Sequence, residues 1–316
     1  MWLEAVHRPL LREGSLAPSA DGEAVVSARF GAISRGTERL VAAGKVPAGE
    51  QERMRAPFQE GDFSFPVKYG YAITGVVEQG PAGWTGRRVF CLYPHQSRFK
   101  VPVEALRPVP DCVPLERAVL GANMETALNI VWDAEIQPGD KVSVVGAGVV
   151  GLLCAYIASS ILGTDTIVID IDAGRAATAA KLGLSFGTPE QAPENCDVVI
   201  HASGSPDGLS VALSCAGFEA RLVEASWYGD RDIAVPLGQA FHSQRLTLIS
   251  SQVGHVPAHR RARWSRSRRL DLALSLLADD RLDALLTAET DLADLPGAYE
   301  DILRDPATLC HRIRYS

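Results

Sequence analysis

Apolar residues in the first third of this chain come in short runs between glycines and prolines. Ala24 to Phe30, Ala72 to Val77, Arg88 to Tyr93 and Phe99 to Val103 read as strands bounded by turn signals. No helical period dominates before about residue 122, so this part predicts a β-rich domain. The period turns helical over 114–134, with Ala118, Ala122, Leu128, Val131 and Trp132 on the buried side. Pro138-Gly139-Asp140 then turns the chain into an alternation of strand and helix. The strands are Val142 to Val145, Thr166 to Ile169, Asp197 to His201, Arg221 to Ala225 and Arg245 to Ser250. Between them lie helical stretches at Leu152 to Ile161, Ala176 to Leu182 and Leu209 to Ala216. Short apolar strands alternating with helices predict an α/β fold with a doubly wound parallel sheet. The tail mixes a helix over Arg268 to Ala278, a strand-like Leu285 to Ala288 and a helix over Leu295 to Leu303.

The first strand of that alternation runs into Gly146-Ala147-Gly148-Val149-Val150-Gly151, a GxGxxG turn opening a helix. Gly146 permits the tight turn, Gly148 lets a pyrophosphate approach the backbone, and Gly151 lets helix and strand pack closely. The helix start at Val149 and Val150 offers unpaired N–H groups to phosphate. Asp170 ends the second strand, 24 residues after Gly146, where a carboxylate accepts both hydroxyls of an adenosine ribose. Strand, turn, helix, strand and acid in order predict a dinucleotide site. Val142 to Gly163 also carries no charge, the pattern of a membrane span, but glycines in this spacing suit a βαβ unit better.

The charge balance narrows the partners. A net charge of −7 and a pI near 5.6 argue against general nucleic-acid binding. The N-terminal stretch has no apolar core of a secretory leader, so no export and no membrane association are expected. Six scattered cysteines with no CxxC pair suggest reduced thiols and a cytoplasmic protein. One run opposes the overall charge: His259 to Arg269 holds six arginines and Trp264. It reads as a solvated helix start with local ion pairs, or as a contribution to binding an anionic substrate.

Several stretches together resemble the medium-chain dehydrogenase/reductase superfamily. They are Gly36-Thr37-Glu38, PVKYGYAITGVVEQG (66–80), VVGAGVVG, DVVIHASGSPDGL and the closing run from Leu282. NMETALNIVWD and the stretch from Glu224 to Gly254 resemble its zinc-type alcohol dehydrogenase-like subgroup. The resemblance implies a Rossmann domain over 123–252 and a GroES-like catalytic domain from 1–122 with 253–316. It also implies where zinc ligands should stand. Those positions hold Arg35, Tyr71, Ala72 and Ala122, and no cysteine-rich lobe follows Cys91. Zinc takes thiolate, imidazole and carboxylate, so no zinc is expected.

The same resemblance places candidate residues. Thr37 matches a hydroxyl that relays protons; its other reading is a turn or cap. Tyr71 stands in place of a lost histidine, as a donor to a substrate oxygen or as filler of the vacated pocket. Tyr93 matches an aromatic substrate wall. His95 has a near-neutral reference pKa suited to proton transfer, or else sits on a surface loop. Thr126 matches a nicotinamide contact beside Asn123 and Glu125, and Glu125 alternatively pairs with an arginine. Ser203, Gly204 and Ser226 end strands beside the cofactor, and Trp227-Tyr228 is a stacking platform or core. Arg175 is placed to meet adenine or a 2′-phosphate, with Asp172 limiting that help. The expectation is a zinc-independent oxidoreductase that moves hydride between a nicotinamide and an alcohol/carbonyl pair. NAD(H) is preferred over NADP(H), the substrate is small and planar or anionic, and a homodimer forms through Leu246 to Ser250. The alternatives are reduction of an activated C=C bond and a cofactor-binding protein without chemistry.

Overall fold

In the computed structural model, which describes residues 1–315, Val142 and Val144 are fully buried. Their strand, Lys141–Val145, lies inside a six-stranded sheet and is flanked on both sides. The order across this sheet is Ser185–Gly187, Asp165–Ile169, Lys141–Val145, Cys196–His201, Ala216–Glu224 and Thr247–Ser250. All its pairings are parallel. That is the doubly wound 3-2-1-4-5-6 arrangement, whose ligand crevice lies at the carboxyl ends of the strands. The uncharged stretch from Val142 to Gly163 is therefore a strand, a turn and the helix Val149–Ser159. No helix among the described residues is long and apolar enough to cross a membrane.

The second sheet is built on one long strand, Glu23–Ile33. It pairs antiparallel with Ile73–Gln79, Arg98–Pro102 and Cys310–Arg314. Leu286–Asp291 adds to the last of these in parallel. Two of these unit's elements depart from the expected pattern. Arg35–Ala42 is a helix that buries Glu38, Val41 and Ala42. That is helical spacing, hidden in the sequence because one buried position is a carboxylate. Cys310–Arg314 is a strand despite two arginines, because only its alternate positions need to be apolar. All six cysteines are free thiols, five buried and Cys112 exposed.

By their internal packing the residues form two compact units, Met1–Ala122 with Leu270–Ser316, and Asn123–Arg269. Residues 253–269 were expected in the catalytic domain and instead pack with the nucleotide unit. The cause is Arg269, which is 1% exposed and donates to Glu125 and to the Val253 carbonyl.

Candidate functional site

The glycine turn is shaped for close approach. Gly146 has φ +112°, and a Cβ there would stand 2.6 Å from the Ser203 nitrogen. A Cβ on Gly151 would stand 1.8 Å from the Gly146 carbonyl oxygen. Gly148, the N-cap of Val149–Ser159, would meet nothing within 4 Å, so its side of the turn is open. Val149 and Val150, the first residues of that helix, are half-buried. Asp170 is fixed beside the turn: its Oδ2 accepts the Ala147 N–H at 2.6 Å and its Oδ1 the Asp172 N–H at 2.9 Å. Each carboxylate oxygen keeps acceptor capacity for a ligand hydroxyl. Arg175 folds back, its Nε 3.5 Å from Asp172 Oδ2 and its side chain 10% exposed. The residues present therefore fit a dinucleotide, with Gly146, Gly148 and Gly151 giving access and Asp170 keeping acceptor capacity for a ribose diol.

Two further strand ends lie at the same edge. Ser203, exposed, and Gly204 follow Cys196–His201; Ser226 follows Ala216–Glu224. The sequence reading passed over the two residues that join them. His201, fully buried, places Nδ1 2.7 Å from Glu224 Oε2 and Nε2 2.6 Å from Ser203 Oγ. Tyr228 OH donates to Glu224 Oε2 at 3.1 Å, and burial, with the charge and hydrogen bond of Glu224 adding to it, pushes the phenol up. The Arg231 guanidinium lies 5.5 Å from the Tyr228 ring, and Trp227 is half-buried. The one signal in the sequence was a histidine inside an otherwise apolar strand, DVVIHASG.

In the catalytic unit Tyr71, Ser34 and Thr37 come together. Thr37 lies within the helix Arg35–Ala42, not in a turn. Burial pushes the Tyr71 phenol up to about 12, against the hydrogen bonds of Ser34 and Thr37. At neutral pH it is a proton-bearing donor. Glu38 sits beneath this cluster and is 1% exposed. Its Oε1 accepts the Ser34 N–H at 2.8 Å, and its Oε2 accepts Tyr299 OH at 2.8 Å. His95 Nε2 is 3.0 Å from the same Oε2. His95 is thus not on a surface loop: it is fully buried, and a Cβ on Gly70 would stand 2.8 Å from its ring. Tyr93 belongs to a buried aromatic group, 4.2 Å from Phe99 in a stacked arrangement. Among the described residues, no three His, Cys, Asp or Glu side chains gather as a metal site.

The helix Gly121–Ala134 carries Asn123, Glu125 and Thr126, with Thr126 half-buried. Glu125 does pair with an arginine, Arg269, at 3.0 Å. The other five arginines of the basic run form no salt bridge among the described residues. Arg260 lies over Trp132 and Arg268 over Trp264, 4.9 and 4.0 Å from the ring centres. The ion pair of the buried arginine is thus a long-range one, and His259 at the start of the run lies 4.0 Å from Glu135.

No family model matches the chain. A probable D-xylulose reductase A from Aspergillus niger is 31% identical over 124 residues, 38% of this chain and 35% of that protein. The chain thus spans about a third of the length of the curated relatives it matches. A short chain alcohol dehydrogenase from Escherichia coli CFT073, complexed with NADH, superposes with TM-score 0.78 at 16% identity. A zinc-binding dehydrogenase from Sinorhizobium meliloti 1021, bound to NADP, superposes with TM-score 0.77 at 16% identity. Both superpositions cover 99% of this chain and 98% of the other, and they establish the fold.

Proposed function

We propose that this chain is a member of the medium-chain dehydrogenase/reductase superfamily, a nicotinamide-dependent oxidoreductase acting on an alcohol/carbonyl pair without zinc. The observation that carries this is the glycine turn open at Gly148, with Asp170 fixed beside it. The resemblance to a D-xylulose reductase supports a polyol or ketose substrate. A bound nicotinamide supplies or accepts the hydride. Tyr71 donates a hydrogen bond or its proton to the substrate oxygen, and Ser34 and Thr37 hold its hydroxyl in place. Buried Glu38 stays close to them as a fixed acceptor for Ser34, Tyr299 and His95, raising the cost of ionising Tyr71. Zinc does not fit the residues at the ligand positions: Arg35, Tyr71, Ala72 and Ala122 offer no thiolate, imidazole or carboxylate. Carbonyl polarisation then falls to the phenol.

The test is NADH oxidation against a panel of ketoses, simple ketones and enones, with polyols in reverse. Turnover on a ketose or ketone is expected, and Tyr71→Phe should lower kcat on the order of a hundredfold. Turnover confined to enones would replace the carbonyl reading with C=C reduction. Cofactor binding with no turnover on any of them would remove the enzymatic reading.

A further inference from the structure

His201 has no task in the chemistry above, yet it is fully buried in a strand of Val and Ile and bonded through both ring nitrogens. Its Nδ1 meets Glu224 and its Nε2 meets Ser203 Oγ. Glu224 is held from other directions as well. The Ser226 N–H donates to its Oε1 at 2.7 Å and Tyr228 OH to its Oε2. Ser226 Oγ in turn accepts the Gly204 N–H at 3.0 Å. The ends of two neighbouring strands are thus tied together by side chains, beside the glycine turn. Gly208 closes the far side, since a Cβ there would stand 2.2 Å from Ser203 Oγ and 2.9 Å from His201 Nε2. A side chain at position 208 would collide with both.

The proton positions follow from the donor inventory. Burial pushes the Glu224 carboxyl up, but its hydrogen bonds from His201 and the Ser226 N–H outweigh it, leaving it below the usual carboxylate range. An ionised carboxylate only accepts, so His201 Nδ1 carries a hydrogen. In a neutral imidazole Nε2 is then a bare lone pair and takes the proton of Ser203. Ser203 Oγ also receives the Ser205 N–H at 3.2 Å. What it has left to offer outward is acceptor capacity. We propose that Glu224 and His201 are positioning residues that make Ser203 a hydrogen-bond acceptor for a ribose hydroxyl of the nicotinamide cofactor. This rests on the dinucleotide reading above. An acceptor suits a hydroxyl ligand and repels phosphate, so the relay also selects which part of the cofactor lies at this strand end.

Glu224→Gln reverses the relay. A carboxamide N–H donates to Nδ1, the imidazole proton moves to Nε2, and Nε2 then donates to Ser203. Titration of the full-length protein with NADH, followed by cofactor fluorescence, reads the result. Ser203→Ala and Glu224→Gln should each weaken binding by about fivefold, the worth of one hydrogen bond. The double variant should bind no more weakly than either single one, because both remove the same contact. The melting temperature of Ser203→Ala should stay well above the titration temperature, so that any loss of binding is read on folded protein. Wild-type affinity in Ser203→Ala, or losses that simply add in the double variant, would overturn the inference. Nitrogen-15 NMR of His201 without cofactor is the independent arm. Nδ1–H in the wild type and Nε2–H in Glu224→Gln support it, and one tautomer in both overturns it. A wild type that binds no nicotinamide nucleotide instead overturns the dinucleotide reading, while the NMR arm still decides the relay.

Discussion

Arg269 and Glu125, 144 positions apart in the chain, meet at 3.0 Å with side chains 1% and 6% exposed. Asn129 Oδ1 and the Val253 carbonyl accept the remaining guanidinium N–H groups. Burial pushes the Glu125 carboxyl up and Arg269 works against it. Such a pair contributes little net stability, but halving it strands a buried charge. Arg269→Met should cost ~3–5 kcal/mol. The double variant with Glu125→Met should recover most of that loss. Urea unfolding followed by tryptophan fluorescence checks this, and equal losses in the single and double variants would contradict it.

Cofactor choice should follow Asp170. A 2′-phosphate there would bring like charges together, on the order of 4 kcal/mol per charge pair at 4 Å in an effective dielectric near 20. Arg175 offers little relief, because it is folded onto Asp172. NADH should bind at least about tenfold tighter than NADPH, a difference needing only ~1.4 kcal/mol. Asp170→Ser should shrink the preference. Fluorescence titration with both nucleotides decides it, and equal affinities in the wild type would transfer control of the pocket to Arg175.

Metal content is the direct check on zinc independence. The purified protein should hold no stoichiometric zinc, and activity should survive chelator. About one zinc per chain that resists chelation, measured by elemental analysis, would reject the reading and direct the search to Glu38 and His95.

The outermost strand of the nucleotide sheet, Thr247–Ser250, is paired on one side only, and Leu248 and Ile249 are half-buried. An open apolar edge invites a second copy. A two-fold homodimer through this edge is expected, and Ile249→Asp should shift it towards monomer. Light scattering that gives a monomer mass for the wild type at micromolar concentration rules it out.

Acid sensitivity should have a contribution from His311. It is 5% exposed, its Nε2 lies 2.8 Å from Thr290 Oγ1, and burial lowers its pKa below 6.5. The folded chain binds this proton less readily than the unfolded chain. The neutral histidine therefore contributes stability in full above 6.5, and that contribution is lost as pH falls through 6.5 towards the folded value. His311→Gln should flatten the fall in melting temperature between about pH 7 and 5. A parallel fall in both proteins would assign the sensitivity elsewhere.

The nucleotide half was legible because its signals are local. Val142 to Val145, the three glycines and Asp170 lie in one βαβ stretch, and each residue type is demanded by backbone geometry or by a neighbour a few positions away. The helix Arg35–Ala42 was not legible, because its buried face is completed by Glu38, whose partners His95 and Tyr299 lie 57 and 261 positions away. The boundary at Arg269 escaped for the same reason, since a run of six arginines gives no sign of which one turns inward.

By itself, then, the chain determined the order of the strands and helices in its nucleotide half, the glycine turn and the acid at the end of the second strand. Only the tertiary structure decided that His201 joins Glu224 to Ser203, that His95 is buried against Glu38, and that Arg175 turns towards Asp172. Patterns of period two or 3.6 report which face of an element is buried. They carry no record of which polar groups meet across two elements, and a buried charge or hydroxyl is satisfied only by such a meeting.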